Sequence, residues 1–262
     1  MLNLFLFQRL PSIILYARMK RLLQAVLRKF GYRLIRVANA PKDGLSCFFE
    51  AIQRAGFAPR HIVDVGANRG TWIRSAIRFF PKAQYTLIEP QYHLKVHTQD
   101  LFAAGYKIRW VNAAAGDQAG TFPFTIASRD DSSSLVFTQN EAPASAAHRV
   151  LVQVITLNDL FPSGTEPFPD LVKIDAEGFD LKVLAGASEL LGKTDVFLIE
   201  AMVCGPYENS ALEVMEFMAD AGYRLIDITS LERSPRHGVL WLCELAFQRK
   251  EARWLDKADP FE

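Results

Sequence analysis

Short apolar runs alternate with amphipathic helical patterns along most of this chain. Continuous apolar runs predict buried strands, and apolar positions spaced by three and four predict helices. The predicted strands are residues 62–65, 85–90, 108–115, 121–127, 150–157, 171–174, 195–200, 223–228 and 239–248. The predicted helices are residues 45–55, 71–80, 91–104, 179–191 and 211–221. This alternation predicts a doubly wound, mostly parallel α/β sheet. A loop rather than a helix joins the last two strands, so the last strand is expected to run antiparallel.

The turn after the first predicted strand carries the most informative polar residues. Residues 62–70 are Ile-Val-Asp-Val-Gly-Ala-Asn-Arg-Gly, and Gly66 and Gly70 stand where the chain bends and a ligand can approach the backbone. The spacing differs from the Gly-x-Gly-x-x-Gly of dinucleotide sites, and this turn has no Gly-Lys-Ser/Thr for a nucleoside triphosphate. It suits the zwitterionic end of S-adenosylmethionine, because the turn amides and the helix N-terminus can bind the carboxylate while Asp64 binds the ammonium directly or through water. A purely structural βα turn is the alternative.

Two more acidic residues follow predicted strands on the same side. Glu89 lies roughly 20 residues beyond the glycine turn, where nucleotide-binding α/β folds place an acid for the ribose hydroxyls. Asp117 follows the third strand, where it can accept from the exocyclic amine of adenine. Its neighbours, Gly-Asp-Gln-Ala-Gly, are also typical of an ordinary turn, so both interpretations of Asp117 are kept. The predicted cofactor site consists of Asp64, Gly66, Asn68, Gly70, Glu89 and Asp117.

Three acidic residues lie at the ends of two predicted strands: Asp175 and Glu177 follow the strand 171–174, and Glu200 is the last residue of the strand 195–200. Because the carboxyl ends of parallel strands meet at one edge of a sheet, the three are expected to converge in the ligand crevice. They are predicted as the catalytic residues, acting as a general base or as acceptors for a substrate hydroxyl. Binding of a divalent cation is an alternative that the residue types allow but the motif does not indicate. At least one of the three acids is expected to cap a helix instead.

Composition narrows the classes of function. A chain of 262 residues with 50% hydrophobic content can bury the core of one α/β domain. The first 42 residues hold nine Lys or Arg and no acid, which leaves 21 basic against 29 acidic residues in the remainder. An acidic body argues against a nucleic-acid groove. Three separated cysteines without Cys-x-x-Cys predict neither a disulfide framework nor a zinc cluster. His93 and His97 lack the glutamate of a zinc protease motif, so no metal site is predicted.

Residues 1–44 are interpreted as a basic amphipathic arm, and residues 45–262 as the catalytic domain. One helical face of the arm carries apolar residues: Met19, Leu22, Leu23, Val26, Leu27 and Phe30. Such a helix can lie on an anionic membrane or pack on the domain, and the pattern favours neither. The apolar stretch before it is too short and interrupted for a bilayer span, and no signal peptide is expected. A cytoplasmic location is therefore expected, with peripheral contact at the inner face of the membrane as an alternative.

Taken together, the motifs resemble the FkbM family of S-adenosylmethionine-dependent methyltransferases. The matching segments, in the family's order, are Val-Asp-Val-Gly-Ala-Asn-Arg-Gly at 63–70, Ile-Glu-Pro at 88–90, Ala-Ala-Gly-Asp with a later Gly at 114–120, Ser-Ser-Leu at 133–135, Val-x-Val-x-Thr-Leu-Asn-Asp ending at 159, and Lys-Ile-Asp-Ala-Glu-Gly at 173–178. The resemblance implies the class I, Rossmann-like methyltransferase fold. It also implies methyl transfer to an oxygen of a sugar, glycan or secondary metabolite.

The sequence departs from the family at one position and leaves two rival functions. The family often has Asp-Asp where this chain has Asn158-Asp159, so a role of the first Asp is not carried over. A non-catalytic methyltransferase-fold scaffold of a membrane-associated glycan assembly is the rival from another class. A nucleotide-dependent dehydrogenase is the rival among enzymes, and the glycine spacing disfavours it.

Overall fold

The computed structural model describes residues 43–127, 135, 146–205 and 209–252, and five positions of the N-terminal segment at 23, 25–27 and 29. The chain divides into two compact units, residues 1–42 and residues 43–262. In the first unit the five described positions are helical, and Leu23 and Val26 are exposed. The rest of the predicted basic helix lies outside the described residues. No helix within the described ranges is long and apolar enough to span a membrane.

The second unit contains the strands and helices that build the site. The strands are β1 (His61–Val65), β2 (Gln84–Ile88), β3 (Lys107–Val111), β4 (Ala114–Ala115), β5 (Gly120–Ala127), β6 (Ala146–Ile155), β7 (Leu171–Ile174), β8 (Val196–Met202), β9 (Tyr223–Arg233) and β10 (Leu240–Arg249). The α-helices are α1 (Gly44–Arg54), α2 (Thr71–Phe79), α3 (Gln99–Ala103), α4 (Leu157–Leu160), α5 (Asp180–Ala185) and α6 (Ala211–Asp220). A 3₁₀ helix, Tyr92–Thr98, precedes α3.

Seven strands form one sheet in the order β3-β2-β1-β7-β8-β10-β9. The pairs among β3, β2, β1, β7 and β8 are parallel, and β10 is antiparallel to both β8 and β9. The predicted doubly wound, mostly parallel sheet with an antiparallel last strand is confirmed. The strand order reverses between β1 and β7, and ligands of such sheets bind at the carboxyl ends of the strands at this switch point. A smaller sheet has the order β4-β6-β5.

Several predicted elements differ from the observed ones. The predicted strand 108–115 is divided, because the side chain of Asn112 donates to the carbonyls of Glu89 and Pro90 and β4 joins the smaller sheet. The helix predicted at 91–104 is a 3₁₀ helix followed by α3. The helix predicted at 179–191 ends at Ala185, where a Cβ on Gly186 would lie 2.0 Å from the carbonyl oxygen of Gly116. Tertiary contacts therefore set these boundaries.

The two faces of the large sheet pack against different helices. Ile62, Leu198 and Ala246 pack with the buried residues of α1 and α2, whereas the cluster containing Val63 and Phe197 packs with α5 and α6. Successive residues of a strand point to opposite faces. Even-numbered positions of β1 and odd-numbered positions of β7 therefore share the face covered by α1 and α2. The charged residues at these positions, Asp64 and Lys173, lie on that same face.

Candidate active site

The glycine turn after β1 is a close-packed backbone crossing. Gly66 has a φ of 73°, and a Cβ placed on it would lie 1.9 Å from the carbonyl oxygen of Asp175. Gly70, with a φ of 74°, would bring a Cβ to 2.7 Å from Cγ2 of Thr98. Asn68 has a φ of 46°, a conformation that asparagine tolerates better than most residues. Both glycines are required by the protein's own packing, whether or not a ligand lies above them.

The N–H groups of this turn already have protein acceptors. Those of Gly66 and Ala67 donate to the carbonyl of Ile88, and that of Gly70 donates to the carbonyl of Ala67. The N–H of Asn68 donates to Glu89, and that of Arg69 donates to the side chain of Asn68. Of the two groups expected to bind a carboxylate, the turn amides are therefore occupied, and the N-terminus of α2 remains. Its first N–H groups have no acceptor within the helix, and Gly70 supplies no capping side chain.

Glu89 occupies the place predicted for a ribose-binding acid. Its side chain is buried and accepts N–H groups from Asn68 at 3.0 Å and Gln91 at 2.8 Å. Burial raises the pKa of Glu89, while the hydrogen bonds from Gln91 and Asn68 oppose that shift. Gln91 also bonds to this carboxylate through its side chain. An ionised carboxylate has about four acceptor positions, so about one remains for a ligand hydroxyl. Asn112, which donates to the Glu89 carbonyl at 3.1 Å and fixes this strand end, was missed by the sequence analysis.

A buried ion pair lies beneath the glycine turn. Asp64 is fully buried, and its Oδ1 lies 3.3 Å from Nζ of Lys173. Lys173 also lies 3.0 Å from Oδ2 of Asp175 and donates to the carbonyls of Val65 and Gly66. Burial alone would lower the pKa of Lys173, but the Asp175 and Asp64 carboxylates outweigh burial and raise it, so the ammonium stays charged. Asp64 thus acts on the turn through Lys173.

Lys173 was not among the residues singled out from the sequence. Its only signal was a lone lysine within the apolar run Leu-Val-Lys-Ile of β7. Buried lysines are rare unless they are paired. Its register partner across β1 and β7 is Asp64, and that pairing becomes visible only in the folded sheet.

Asp175, Glu177 and Glu200 converge as predicted. Each offers a carboxylate oxygen within 4.8 Å of the other two. Burial, reinforced by the nearby carboxylates of Asp175 and Glu177, raises the pKa of Glu200 well above its ordinary value. A carboxylate with a raised pKa is a stronger base, and therefore a better proton acceptor when it is ionised. Three carboxylates at this spacing could equally provide oxygen ligands for a divalent cation.

Glu244 lines the same cavity as these three carboxylates and was missed by the sequence analysis. Asp175, Glu177, Glu200 and Glu244 are called the acidic wall below. It lies opposite Glu200 in the antiparallel register of β8 and β10, and Oε1 of Glu244 accepts a hydrogen bond from the Thr229 hydroxyl. Burial raises the pKa of Glu244 to about 7, although the bond from Thr229 opposes the shift. A lone acid in the apolar strand Leu-Cys-Glu-Leu was the available signal.

One cavity of about 860 Å³ brings most of the predicted residues together. Six of them line it: Gly66, Asn68, Glu89, Asp175, Glu177 and Glu200. Asp64 and Gly70 lie outside its lining. Asp117 lines a separate cavity of about 190 Å³ and lies 3.2 Å from Nζ of Lys182. Phe179 and Leu135 border both cavities. Leu135 ends the family-like segment Ser-Ser-Leu, whose two serines, like Ser132 before them, lie outside the described residues.

Several solved methyltransferase structures have partial similarity to the chain. One is the precorrin-6y C5,15-methyltransferase of Geobacter metallireducens, at 13% identity over 76% of this chain and 85% of that one, with a TM-score of 0.41. Another is the mitomycin 7-O-methyltransferase, at 13% identity over 79% of this chain, with a TM-score of 0.43. This chain spans only 53% of that enzyme. A third is the 1,6-didemethyltoxoflavin-N1-methyltransferase of Burkholderia thailandensis, at 16% identity over 95% and 94% of the two chains, with a TM-score of 0.39.

A match to the model of a protein family shows which family the chain belongs to. No curated protein matches the sequence. The model of the methyltransferase FkbM domain matches residues 64–225, which is more than half of the chain. The matched range begins at Asp64, before the glycine turn, and includes the acidic wall as far as Glu200. The chain therefore belongs to the FkbM family of S-adenosylmethionine-dependent methyltransferases.

Proposed function

We propose that this protein methylates a hydroxyl group of a small-molecule or glycan acceptor, using residues of the 45–262 domain. Three carboxylates, Asp175, Glu177 and Glu200, stand beside the glycine turn in the same cavity, and this observation carries the proposal. A cavity of about 860 Å³ is within the range of small-molecule sites. The acidic wall disfavours acceptors with a carboxylate or phosphate next to the reacting group, because like charges repel in a partly buried site.

The cofactor end of the cavity is assigned to residues around the glycine turn. Glu89 is placed to accept ribose hydroxyls, and the first turn of α2 is placed to meet the carboxylate of the amino-acid end. Gly66, Asn68 and Gly70 shape the turn, with Asp64 supporting it through Lys173. Asp117 is assigned to the adenine, across Phe179. When bound, S-adenosylmethionine supplies a methyl group on a positively charged sulfur.

The acceptor end has to align a hydroxyl and remove its proton. In-line displacement depends mainly on alignment, together with a base for that proton. Asp175 is fixed by its ion pair with Lys173, so it is suited to orient the hydroxyl. We assign proton acceptance to Glu200, whose pKa burial raises well above its usual range. Glu177 lies within reach of both and completes the set.

Two measurements test this function. Isothermal titration should detect binding of S-adenosylmethionine and S-adenosylhomocysteine, and no binding of nicotinamide dinucleotides. Incubation with methyl-labelled S-adenosylmethionine should then transfer label to a neutral sugar, glycoside or phenol. Binding of a nicotinamide cofactor instead would support the dehydrogenase. Cofactor binding without label transfer to any acceptor class would support the non-catalytic scaffold.

Replacement of the ribose-binding acid should weaken cofactor binding. We expect Glu89→Gln to weaken binding of S-adenosylmethionine by roughly 1 to 3 kcal/mol, because a charged acceptor for the ribose is lost. Titration calorimetry measures the change. Glu216→Gln, at an exposed position on α6, is the matched control and should bind like the parent. Equal affinity of the Glu89 variant and this control would remove Glu89 from the ribose site.

Loss of the acceptor-side acids should affect turnover more than cofactor binding. With an acceptor identified, Glu200→Gln should lower kcat by roughly 100- to 10,000-fold, the usual contribution of a general base. The dissociation constant of S-adenosylmethionine should stay within about twofold, since Glu200 is not assigned to the cofactor. Full activity of both Glu200→Gln and Asp175→Asn would contradict the assignment. Loss of activity with a chelator, restored by Mg²⁺ or Mn²⁺, would make these acids metal ligands instead.

A further inference from the structure

The turn between β7 and α5 holds Glu177 in an unfavourable backbone conformation. Glu177 has a φ of 52°, and Gly178 follows with a φ of 89°. The left-handed region is unfavourable for a residue with a Cβ, and glycine avoids this cost. The chain nevertheless has glutamate rather than glycine at the first of the two positions. Surrounding contacts must therefore hold the turn in this shape.

The side chain of Asp180 provides those contacts. Its Oδ1 accepts the N–H of Ala176 at 2.9 Å, and its Oδ2 accepts the N–H of Gly178 at 3.2 Å. The two amides flank Glu177 on either side. Asp180 is fully buried, so water does not compete for these hydrogen bonds. A single carboxylate thus closes the turn around Glu177.

Asn209 fixes Asp180 from a second direction. Its Nδ2 donates to Oδ2 of Asp180 at 2.7 Å, and its side chain is also buried. The backbone carbonyl of Asn209 accepts the N–H of Met202 at the end of β8, the strand that carries Glu200. The contacts of Asp180 and Asn209 therefore join the turn that carries Glu177 to the strand end that follows Glu200.

We propose that Asp180 and Asn209 are positioning residues that hold the Glu177 carboxylate in the acidic wall of the active site. Asp180 does not line the cavity, and its carboxylate binds the amides of the turn instead. A hydrogen-bonded carboxylate of this kind fixes a side chain that has to be placed within a fraction of an ångström for catalysis. The functional consequence rests on the proposed role of Glu177, whereas the control of the turn does not.

The difference in melting temperature between a Gly and an Ala variant at position 177 shows whether the φ of that residue is positive. Glu177→Gly and Glu177→Ala both remove the carboxylate, but only the Ala variant keeps the Cβ that makes a positive φ costly. With Asp180 present, the Gly variant should melt roughly 2 to 4 °C above the Ala variant. When each is combined with Asp180→Asn, the advantage of Gly should vanish, because the released turn returns to a negative φ. An unchanged Gly advantage would overturn the proposal.

Crystal structures and kinetics complete the test. The structure of Asp180→Asn should show residue 177 at a negative φ and its carboxylate outside the reach of Asp175 and Glu200. With an acceptor available, Asn209→Ala should lower kcat at least tenfold while the cofactor dissociation constant stays within about twofold. Asn158→Ala is the control, since it removes hydrogen bonds to Ser188 and Glu189 outside the cavity and should leave kcat unchanged.

Each of these experiments has an outcome that would overturn the role proposed for Asp180 or Asn209. A crystal structure of Asp180→Asn with residue 177 still at a positive φ would overturn the role of Asp180. An Asn209 variant with parental kcat would overturn the positioning role even if its stability is reduced. If Asp180→Asn does not fold, Asn209→Ala takes its place in the comparison of Gly and Ala. That comparison needs no acceptor, so its result stands even if the proposed hydroxyl methylation fails.

Discussion

Gly66→Ala is expected to destabilise the protein by roughly 3 to 5 kcal/mol and to abolish measurable cofactor binding. Two costs combine at this position. The φ of 73° disfavours any residue with a Cβ, and the added Cβ would lie 1.9 Å from the carbonyl oxygen of Asp175. That oxygen belongs to the backbone, so β1 and β7 would have to separate at the edge where the site is formed. Urea denaturation and titration with S-adenosylmethionine measure the two effects.

Gly56→Ala separates the conformational cost from the steric cost. Gly56 has a φ of 94°, but a Cβ there would meet no atom within 4 Å. This control should lose only about 1 to 2 kcal/mol, and it should bind the cofactor like the parent. Equal losses in the two variants would show that the close approach of Gly66 to Asp175 has no energetic weight.

Lys173→Met is expected to destabilise the fold by roughly 3 to 5 kcal/mol, because it leaves the charge of Asp64 buried without its partner. Asp64 is fully buried, and the side chain of Lys173 is only 4% exposed. The same change removes the donor to the carbonyls of Val65 and Gly66, so cofactor affinity should fall as well. Denaturant unfolding with a shared m-value measures the stability change.

A second substitution identifies the cause of this loss. Asp64→Asn combined with Lys173→Met removes both buried charges, so the double variant should recover part of the stability lost in Lys173→Met. Lys193→Met is the control for loss of a lysine, since the exposed pair of Lys193 and Glu189 should contribute at most about 1 kcal/mol. A double variant no more stable than Lys173→Met would show that the buried charge of Asp64 is not the source of the instability.

The local pattern was sufficient to predict which polar residues meet at one edge of the sheet. The apolar runs ending at Val65, Ile88 and Ile174 predicted parallel strands, and their register pairs in the sheet follow that prediction. Glu89 and Asp175 directly follow their strands and Glu200 lies two residues before the end of β8, so the geometry of a parallel sheet brings them to one edge. Strand direction and side-chain alternation are properties of short segments, which is why they can be predicted without the fold.

The sequence pattern could not predict which side chains would pair across the sheet. Asp64 and Lys173 are more than 100 residues apart, and their pairing depends on the register of β1 against β7. Asp117 was predicted at the cofactor site, but it lines a separate cavity beside Lys182, because the chain leaves the large sheet between β3 and β4. The split of one predicted strand into two sheets therefore changed the surroundings of a predicted ligand residue.

The sequence by itself determined the α/β class, the glycine turn and the acids at the strand ends, because each depends on residues within a few positions of one another. Only the tertiary structure decided that the turn amides are already bonded, that Lys173 lies between Asp64 and Asp175, and that Asp180 holds Glu177. Those outcomes depend on which polar groups are buried together, and a buried group must find a partner or lose its solvation without compensation. The chemistry of this site is thus encoded locally, whereas its alignment is set by contacts between distant segments.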